Sequence, residues 1–385
     1  MHQPQEFIYA GSVLILLSGL ALVLSSLRVP HIVSFMLAGL LGKLFFPQKM
    51  EFLFSLLEMS AIVLLFFFIG LEYSFERLWS MKRVLKPGLV DLFINFIPPF
   101  LITYLLSEDL FLSLVLGAVL YPSSTAITAK LFMDYKRLVN PEAELLIGIL
   151  IFEDLVSIVL LSVFTAFSVG GKLEIISMWR AFLAVFVLFV VFYLLKGPSY
   201  RVFSYIDRKV DESLVPFFVL GTLLLSAGIS LSFGLSDALI AFMLGVVVPE
   251  KSRIYGLVDR SLSDLKDIAI GVFFFMFTFH SKLGLDQYIW LLVVLLPLSV
   301  LTKFLSTYWG STIYGLNRRG SLRASLSFLQ RGEFSIIFAS FYEPAQTLAF
   351  SLVLATALLG SFSFVYAPRI SSRLFPTKVG KRAPP

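Results

Sequence analysis

Thirteen apolar runs, each near the length a helix needs to cross a lipid bilayer, follow one another along this chain with little between them. A spanning helix takes about 20 predominantly apolar residues, and somewhat fewer where neighbours support it. The runs lie near 8–26, 30–46, 52–71, 86–106, 111–132, 144–167, 179–196, 213–231, 235–249, 265–280, 287–308, 321–341 and 347–366. Lipid gives backbone N–H and C=O groups no partners, so such runs must satisfy their own hydrogen bonds as helices. The pattern predicts an all-α polytopic membrane protein. Composition agrees, because 58% hydrophobic and 15% charged residues over 385 positions would leave a water-soluble domain with a largely apolar surface.

The composition also excludes chemistry. There is no cysteine, which removes disulfides, thiolate clusters and thiol catalysis, and the three histidines, His2, His31 and His280, are too scattered for a metal cluster. No Gly-x-x-x-x-Gly-Lys-Ser/Thr loop, Rossmann glycine signature or sizeable soluble stretch occurs, so neither ATP hydrolysis nor another enzymatic activity nor a cofactor is expected. Energy for any pumping must then come from an ion gradient. The net charge of +6 does not point to nucleic acid, since the basic residues fall in short loops between apolar runs. With the N-terminus outside, the inside loops collect most of the 31 lysines and arginines, and the outside segments hold only Lys49, Lys172 and Lys282. The positive-inside rule thus predicts an inner-membrane protein with N-terminus out and C-terminus in the cytoplasm. The start of the chain lacks the basic stretch and cleavage site of a signal peptide, so the first run is expected to be retained.

The chain matches itself at an offset of 207 residues: Phe35-Met36-Leu37 falls on Phe242-Met243-Leu244, Phe66-Phe67-Phe68 on Phe273-Phe274-Phe275, and Ser74 on Ser281. One offset shared by separate runs indicates a repeat. It pairs runs 1–6 with runs 8–13. A displacement of seven spans, an odd number, makes the second copy enter from the opposite side, the inverted topology of secondary transporters. The expected organisation is a first repeat over 1–167, a connector over 168–212, a second repeat over 213–366 and a short basic cytoplasmic tail over 367–385.

Within the repeats, two polar interruptions correspond. Run 5 contains Tyr121-Pro122-Ser123-Ser124-Thr125, where a proline removes a backbone donor and hydroxyls compete for backbone hydrogen bonds, so the helix should break. Adding 207 to Ser124 gives Arg331, inside Gln330-Arg331-Gly332-Glu333 of run 12. Paired discontinuous helices point to a midplane site where half-helix ends and freed carbonyls can hold a dehydrated ion. An ordinary hydroxyl-stabilised kink would read the same way on the first motif alone.

Run 6 carries the strongest signal, adjacent carboxylates Glu153 and Asp154 in mid-membrane. Each costs roughly 2.5–3.5 kcal/mol to insert, so they should persist for a function, Asp154 above all. Residues i and i+1 project about 100° apart, so the two acids can do different jobs. Lys303 and Arg331 are the buried cations available to them. Lys303 can carry a proton that leaves when an ion enters, or can simply neutralise an acid, and both readings stay open here. Arg331 and Glu333 fit compensation of the half-helix dipoles. Glu72, Asp237 and Lys130, near run ends, should face headgroups or water.

At these residues the chain resembles the second monovalent cation:proton antiporter family, the Kef-like exchangers. The stretches Phe66–Glu72, Ser123–Ile127, Ile149–Asp154 and Gln330–Ser335 each resemble a family motif, in order, over essentially the whole chain. The run Met133–Glu142 is most similar to KhtU-type potassium/proton antiporters. The resemblance implies the Na+/H+ antiporter-like fold with crossed broken helices, a homodimer with a rigid dimerisation scaffold, and a mobile core moving like an elevator. It implies Asp154 as the shared cation and proton carboxylate, assisted by Glu153, Ser123, Ser124 and Thr125, with Lys303 as the lysine that several relatives pair with this acid. Kef proteins with a fused nucleotide-binding domain continue far beyond residue 366, whereas about twenty residues follow here, so a cytosolic regulator is expected as a separate subunit. The expected partners are therefore membrane lipid, a second copy and such a regulator.

The functional expectation is potassium or sodium exchanged against protons, with Asp154 either protonated or ion-bound and only those neutralised forms crossing. A gated cation channel would also use broken helices and buried charge, and a sodium/solute symporter is a third reading without a pocket signature.

Overall fold

The computed structural model describes residues 4–25, 31–47, 51–72, 82–170, 187, 190, 194, 211–232, 236–249, 252–280, 288 and 290–376. The predicted run 179–196 apart from residues 187, 190 and 194, most of the connector, Ser74 and Ser281, and the end of the basic tail lie outside the described residues, as does the Glu72 side chain. The described chain is helical: α1 Pro4–Ser25, α2 His31–Phe45, α3 Glu51–Glu72, α4 Lys82–Ser107, α5 Leu110–Val119, α6 Thr125–Asp134, α7 Pro141–Gly170, α8 Val215–Ser232, α9 Asp237–Val247, α10 Arg253–His280, α11 Leu291–Tyr314, α12 Arg318–Leu326, α13 Glu333–Ser340 and α14 Glu343–Leu374. Among the described residues, six stretches are long and apolar enough to cross a membrane, Phe7–Ser25, Lys82–Ser107, Pro141–Thr165, Glu212–Ser232, Leu291–Tyr314 and Glu343–Leu374. Shorter apolar helices occupy His31–Phe45, Ser60–Leu71, Leu110–Val119 and Asp237–Val247.

Caps and breakers set the boundaries. Asp109 accepts a hydrogen bond from Leu112 N at the start of α5, Ser236 one from Leu239 N at α9, and Asn317 one from Gly320 N at α12. At the end of α11 the chain turns through Gly315 at φ 107°, the left-handed region that favours glycine.

The chain forms two compact units, each assembled from two separate stretches. The first joins Met1–Ser80 with Ile158–Ser281. In it α2 meets α10 and α3 meets α9 through glycines: Gly39 lies against Phe275 and Thr278, and Gly70 and Gly245 bring the α3 and α9 backbones together. Such close approach needs the absence of a Cβ. Thr278 Oγ1 donates to the Met36 carbonyl at 2.8 Å across the α2–α10 pair. Val13, Leu17, Ala38, Phe54, Val272 and Phe275 are among its buried core.

The second unit joins Met81–Ser157 with Lys282–Pro385 and contains both broken helices. Its centre is the pair α4 and α11, and Gly310 of α11 lies against Pro87 of α4. Gly117 of α5 packs on Phe96 and Phe100 of α4, and Gly88 on Phe152 of α7. A charged clasp holds the segment between α6 and α7. Glu142, fully buried, accepts Arg137 Nη2 at 3.3 Å and Arg323 Nη2 at 2.6 Å. Arg137 also donates to the Phe364 carbonyl at 2.9 Å and to Ser327 Oγ at 2.9 Å, with its guanidinium 4.2 Å from the Phe364 ring. Burial pulls this guanidinium below its ordinary pKa, while Glu142 acts the other way. Arg137 and Arg323 thus tie α6, α7, α12 and α14 together.

Candidate ion-binding site

The two polar interruptions meet. Helix α5 ends at Val119 and α6 starts at Thr125, while α12 ends at Leu326 and α13 starts at Glu333. The extended stretches between them pair as an isolated antiparallel bridge of Ser123 with Arg331, and Ser124 N donates to the Gln330 carbonyl at 3.0 Å. The crossing is tight at Gly332, where an added Cβ would lie 2.6 Å from both Ser124 Cα and Ser124 Cβ. Its φ of −141° is open to any residue, so contact alone requires the glycine.

Backbone groups freed by the breaks are captured by side chains from the opposite break. Ser335 Oγ donates to the carbonyl of Val119, the last residue of α5, at 2.7 Å, and Arg331 Nη1 to the Tyr121 carbonyl just past it at 2.9 Å. Arg331 Nη2 reaches Asn95 Oδ1 at 3.1 Å and the Ser299 carbonyl at 2.9 Å. At the other pole, Ser124 Oγ caps α6 by accepting from Ile127 N, and Glu333, the first residue of α13, lies 3.4 Å from that hydroxyl. A cation therefore faces a half-helix C-terminus and a carboxylate faces two N-termini, the favourable sense for helix dipoles.

Glu153 and Asp154 lie on α7 beside this crossing, and both are buried. They point to different partners, as their spacing on a helix allows. Glu153 Oε2 accepts Ser123 N at 2.6 Å and Oε1 accepts Ser123 Oγ at 3.3 Å and the Lys303 ammonium. Asp154 Oδ2 accepts Thr125 Oγ1 at 3.4 Å, at the first residue of α6. The expected lysine is present but shared: Lys303 Nζ lies 3.0 and 2.9 Å from the two carboxylate oxygens of Asp91, besides its bond to Glu153. The resemblance pairs this lysine with Asp154, whereas these contacts run to Glu153 and Asp91.

Sequence reasoning missed Asp91. The signal was Asp91 and Asn95 one helical turn apart in α4, and it was hidden by Asp91's place near the start of run 86–106, where headgroup exposure is the ordinary reading. Both are fully buried. Asn95 Nδ2 donates to Asp91 Oδ1 at 2.9 Å, and Ser306 Oγ, also missed, donates to it at 2.7 Å. Asp237 keeps a position at the start of α9, accepting from Ala238 N, and Lys130 is exposed.

A helical membrane protein with two crossed broken helices around paired buried carboxylates and a lysine has the build of a secondary ion exchanger. The comparisons specify which. Residues 12–373 match the family described as sodium/hydrogen exchanger, transmembrane, and the chain belongs to that family of cation:proton antiporters. It is 34% identical to the ammonium/H(+) antiporter subunit AmhT of Alkalihalophilus pseudofirmus, over 98% of this chain and 96% of that one. It is 28% identical to the K(+)/H(+) antiporter subunit KhtU of Bacillus subtilis, over 72% and 69% of the two chains. Among solved structures it resembles the sodium proton antiporter MjNhaP1 from Methanocaldococcus jannaschii, with a TM-score of 0.69 and 19% identity over 96% of this chain and 98% of that chain, a likeness of fold.

Proposed function

We propose that this protein exchanges a monovalent cation for protons across the inner membrane, with Asp154 as the carboxylate for which the two compete. The observation that carries this reading is the burial of Asp154 beside the crossing, with Thr125 at its carboxylate and the α6 N-terminus next to it. A bare carboxylate in such surroundings is costly, and either a proton or a cation neutralises it. Those two occupied forms cross and the empty anion does not, which couples the fluxes. Ser123, Ser124 and Thr125 offer the oxygens a dehydrated cation needs. Potassium, sodium and ammonium all fit this chemistry, and ammonium and potassium stand in the names of the two relatives.

The finer architecture belongs to the same proposal. The helix bounds recur at the offset of 207: α5 and α6, 110–119 and 125–134, fall on 317–326 and 332–341, against α12 and α13 at 318–326 and 333–340. That recurrence supports two inverted repeats over 1–167 and 213–366 and about 13 spans, and the lysine and arginine bias of the loops supports an N-terminus outside. The second compact unit, with both broken helices, is the proposed elevator core. The first is the proposed scaffold of a homodimer. Both relatives are named as subunits, which supports a separate cytosolic regulator. The relatives are antiporters by name, so the channel reading has no support.

The test is exchange in proteoliposomes holding a pH-sensitive dye, with potassium, sodium and ammonium gradients in turn. Wild type should move protons against at least one cation, and Asp154→Asn should abolish the movement with the protein still folded. Coupled exchange retained by Asp154→Asn would refute the assignment.

A further inference from the structure

Tyr121 stands in the break between α5 and α6, directly before Pro122, a position biased toward extended backbone. Its backbone is engaged on both sides: the N–H donates to the Ala118 carbonyl at 3.3 Å, and the carbonyl accepts Arg331 Nη1 at 2.9 Å. The side chain is fully buried. The phenol lies in the field of the buried carboxylates, Glu153 foremost, then Asp91 and Asp154. Its hydroxyl nevertheless makes no hydrogen bond.

A buried phenol ordinarily finds a partner. Among the described residues of the second unit, Thr103, Ser157, Thr307 and Ser311 also have hydroxyls without one. Each of those stands within a helix and can turn about χ1 onto a carbonyl one turn back. Tyr121 has no such recourse, because its oxygen sits at the tip of a rigid ring on a residue outside any helix. The carboxylates around it are occupied with one another and with other donors. Glu153 accepts Ser123 N, Ser123 Oγ and Lys303, and its carboxyl is in hydrogen-bond contact with that of Asp91. Asp91 in turn accepts Lys303, Asn95 Nδ2 and Ser306 Oγ. A phenol offers two lone pairs beside its O–H, and lone pairs near anions are drawn together by a positive ion. The ligand that fits is a monovalent cation stripped of water: an alkali ion takes the oxygen as a ligand, and ammonium donates an N–H to it.

We propose that the Tyr121 hydroxyl is a further ligand of the transported cation, contacting it when it binds beside Asp154 and so setting its affinity. This rests on the antiporter reading above and adds to it a neutral oxygen from outside the Ser123–Thr125 stretch.

The experiment compares wild type, Tyr121→Phe and, as control, Tyr104→Phe, whose side chain is exposed on α4. Each full chain is placed in proteoliposomes with an internal pH dye, and exchange is followed over a concentration series of potassium, sodium or ammonium chloride. Tyr121→Phe is expected to raise the KM for the exchanged cation about tenfold or more with the maximal rate little changed, because it removes one bond to a charged ligand. Melting in detergent is the second readout. In choline chloride Tyr121→Phe should melt no lower than wild type, since its hydroxyl holds nothing in the fold, while stabilisation by the exchanged cation should need about tenfold more salt. Tyr104→Phe should match wild type in both. An unchanged KM in Tyr121→Phe would overturn the proposal. So would a lowered melting point in choline or a failure to fold, either of which makes the hydroxyl structural. Absence of any cation-driven proton movement in folded wild type would overturn the antiporter reading instead. The cation-dependent melting shift then decides for the phenol alone, and an equal shift in wild type and Tyr121→Phe, or none in either, would overturn it.

Discussion

Replacing Gly332 with alanine would build a methyl group 2.6 Å from the Cα and Cβ of Ser124 and 2.9 Å from its Oγ. Carbon atoms rest about 3.5–4.0 Å apart, so the two crossing segments would have to separate by about 1 Å. Neither can yield by turning a side chain, because the nearest atom belongs to backbone. The 3.0 Å bond from Ser124 N to the Gln330 carbonyl would stretch to about 4 Å and be lost. Forced overpacking of this kind costs about 1–3 kcal/mol, which lowers melting by a few degrees without unfolding the protein. Function should suffer more. Ser123 and Thr125, which hold Glu153 and Asp154, flank Ser124, and a displacement of about 1 Å at a reacting geometry can cost roughly 10²-fold. The assay is cation-driven proton exchange in proteoliposomes beside a melting curve in detergent, with Gly221→Ala as control, since nothing lies within 4 Å of that glycine's added methyl. Gly332→Ala is expected to lose about two orders of magnitude in exchange, and Gly221→Ala none. Wild-type exchange and melting in Gly332→Ala would refute the argument that the crossing is held by contact at this position.

Other changes separate scaffold from site. Glu142→Gln removes the charge that Arg137 and Arg323 share in burial, and breaking such a pair should cost about 3–5 kcal/mol, read as a clear drop in melting temperature. Arg331→Lys keeps the charge but cannot reach Tyr121, Asn95 and Ser299 together, and each acceptor orphaned in burial costs about 1–3 kcal/mol, so melting should fall despite the conserved charge. Tyr342, which directly precedes α14 and donates to Asp109 Oδ2 at 2.8 Å, has its phenol pushed by burial and by Asp109 from the ordinary 10 to about 12. The folded state therefore holds this proton more tightly, so the contribution is full below pH 10 and is lost as pH rises through about 12. Tyr342→Phe should remove that alkaline loss, so that melting profiles of variant and wild type converge between those values. Parallel profiles would contradict it.

Much of the site was legible because membrane burial is so selective about charge. Glu153 and Asp154 stand out in an apolar run, and Pro122 with three hydroxyl residues marks a break that a helix of leucines would not have. The contacts that join the two breaks were not legible, since Ser124 to Gln330 and Arg331 to Tyr121 depend on three-dimensional crossing. Asp91 escaped for a different reason. A carboxylate five residues into a run is ordinary at a headgroup boundary, and only the α4–α11 packing shows that it faces Lys303.

The central claim is that a cation and a proton compete for Asp154. It is tested most directly by adding potassium, sodium or ammonium salt to purified protein in weakly buffered detergent and following proton release with an indicator, with choline salt as reference. The account predicts about one proton released per chain with a transported cation, none with choline, and none from Asp154→Asn. Cation binding without proton release, or equal release from Asp154→Asn, would contradict it.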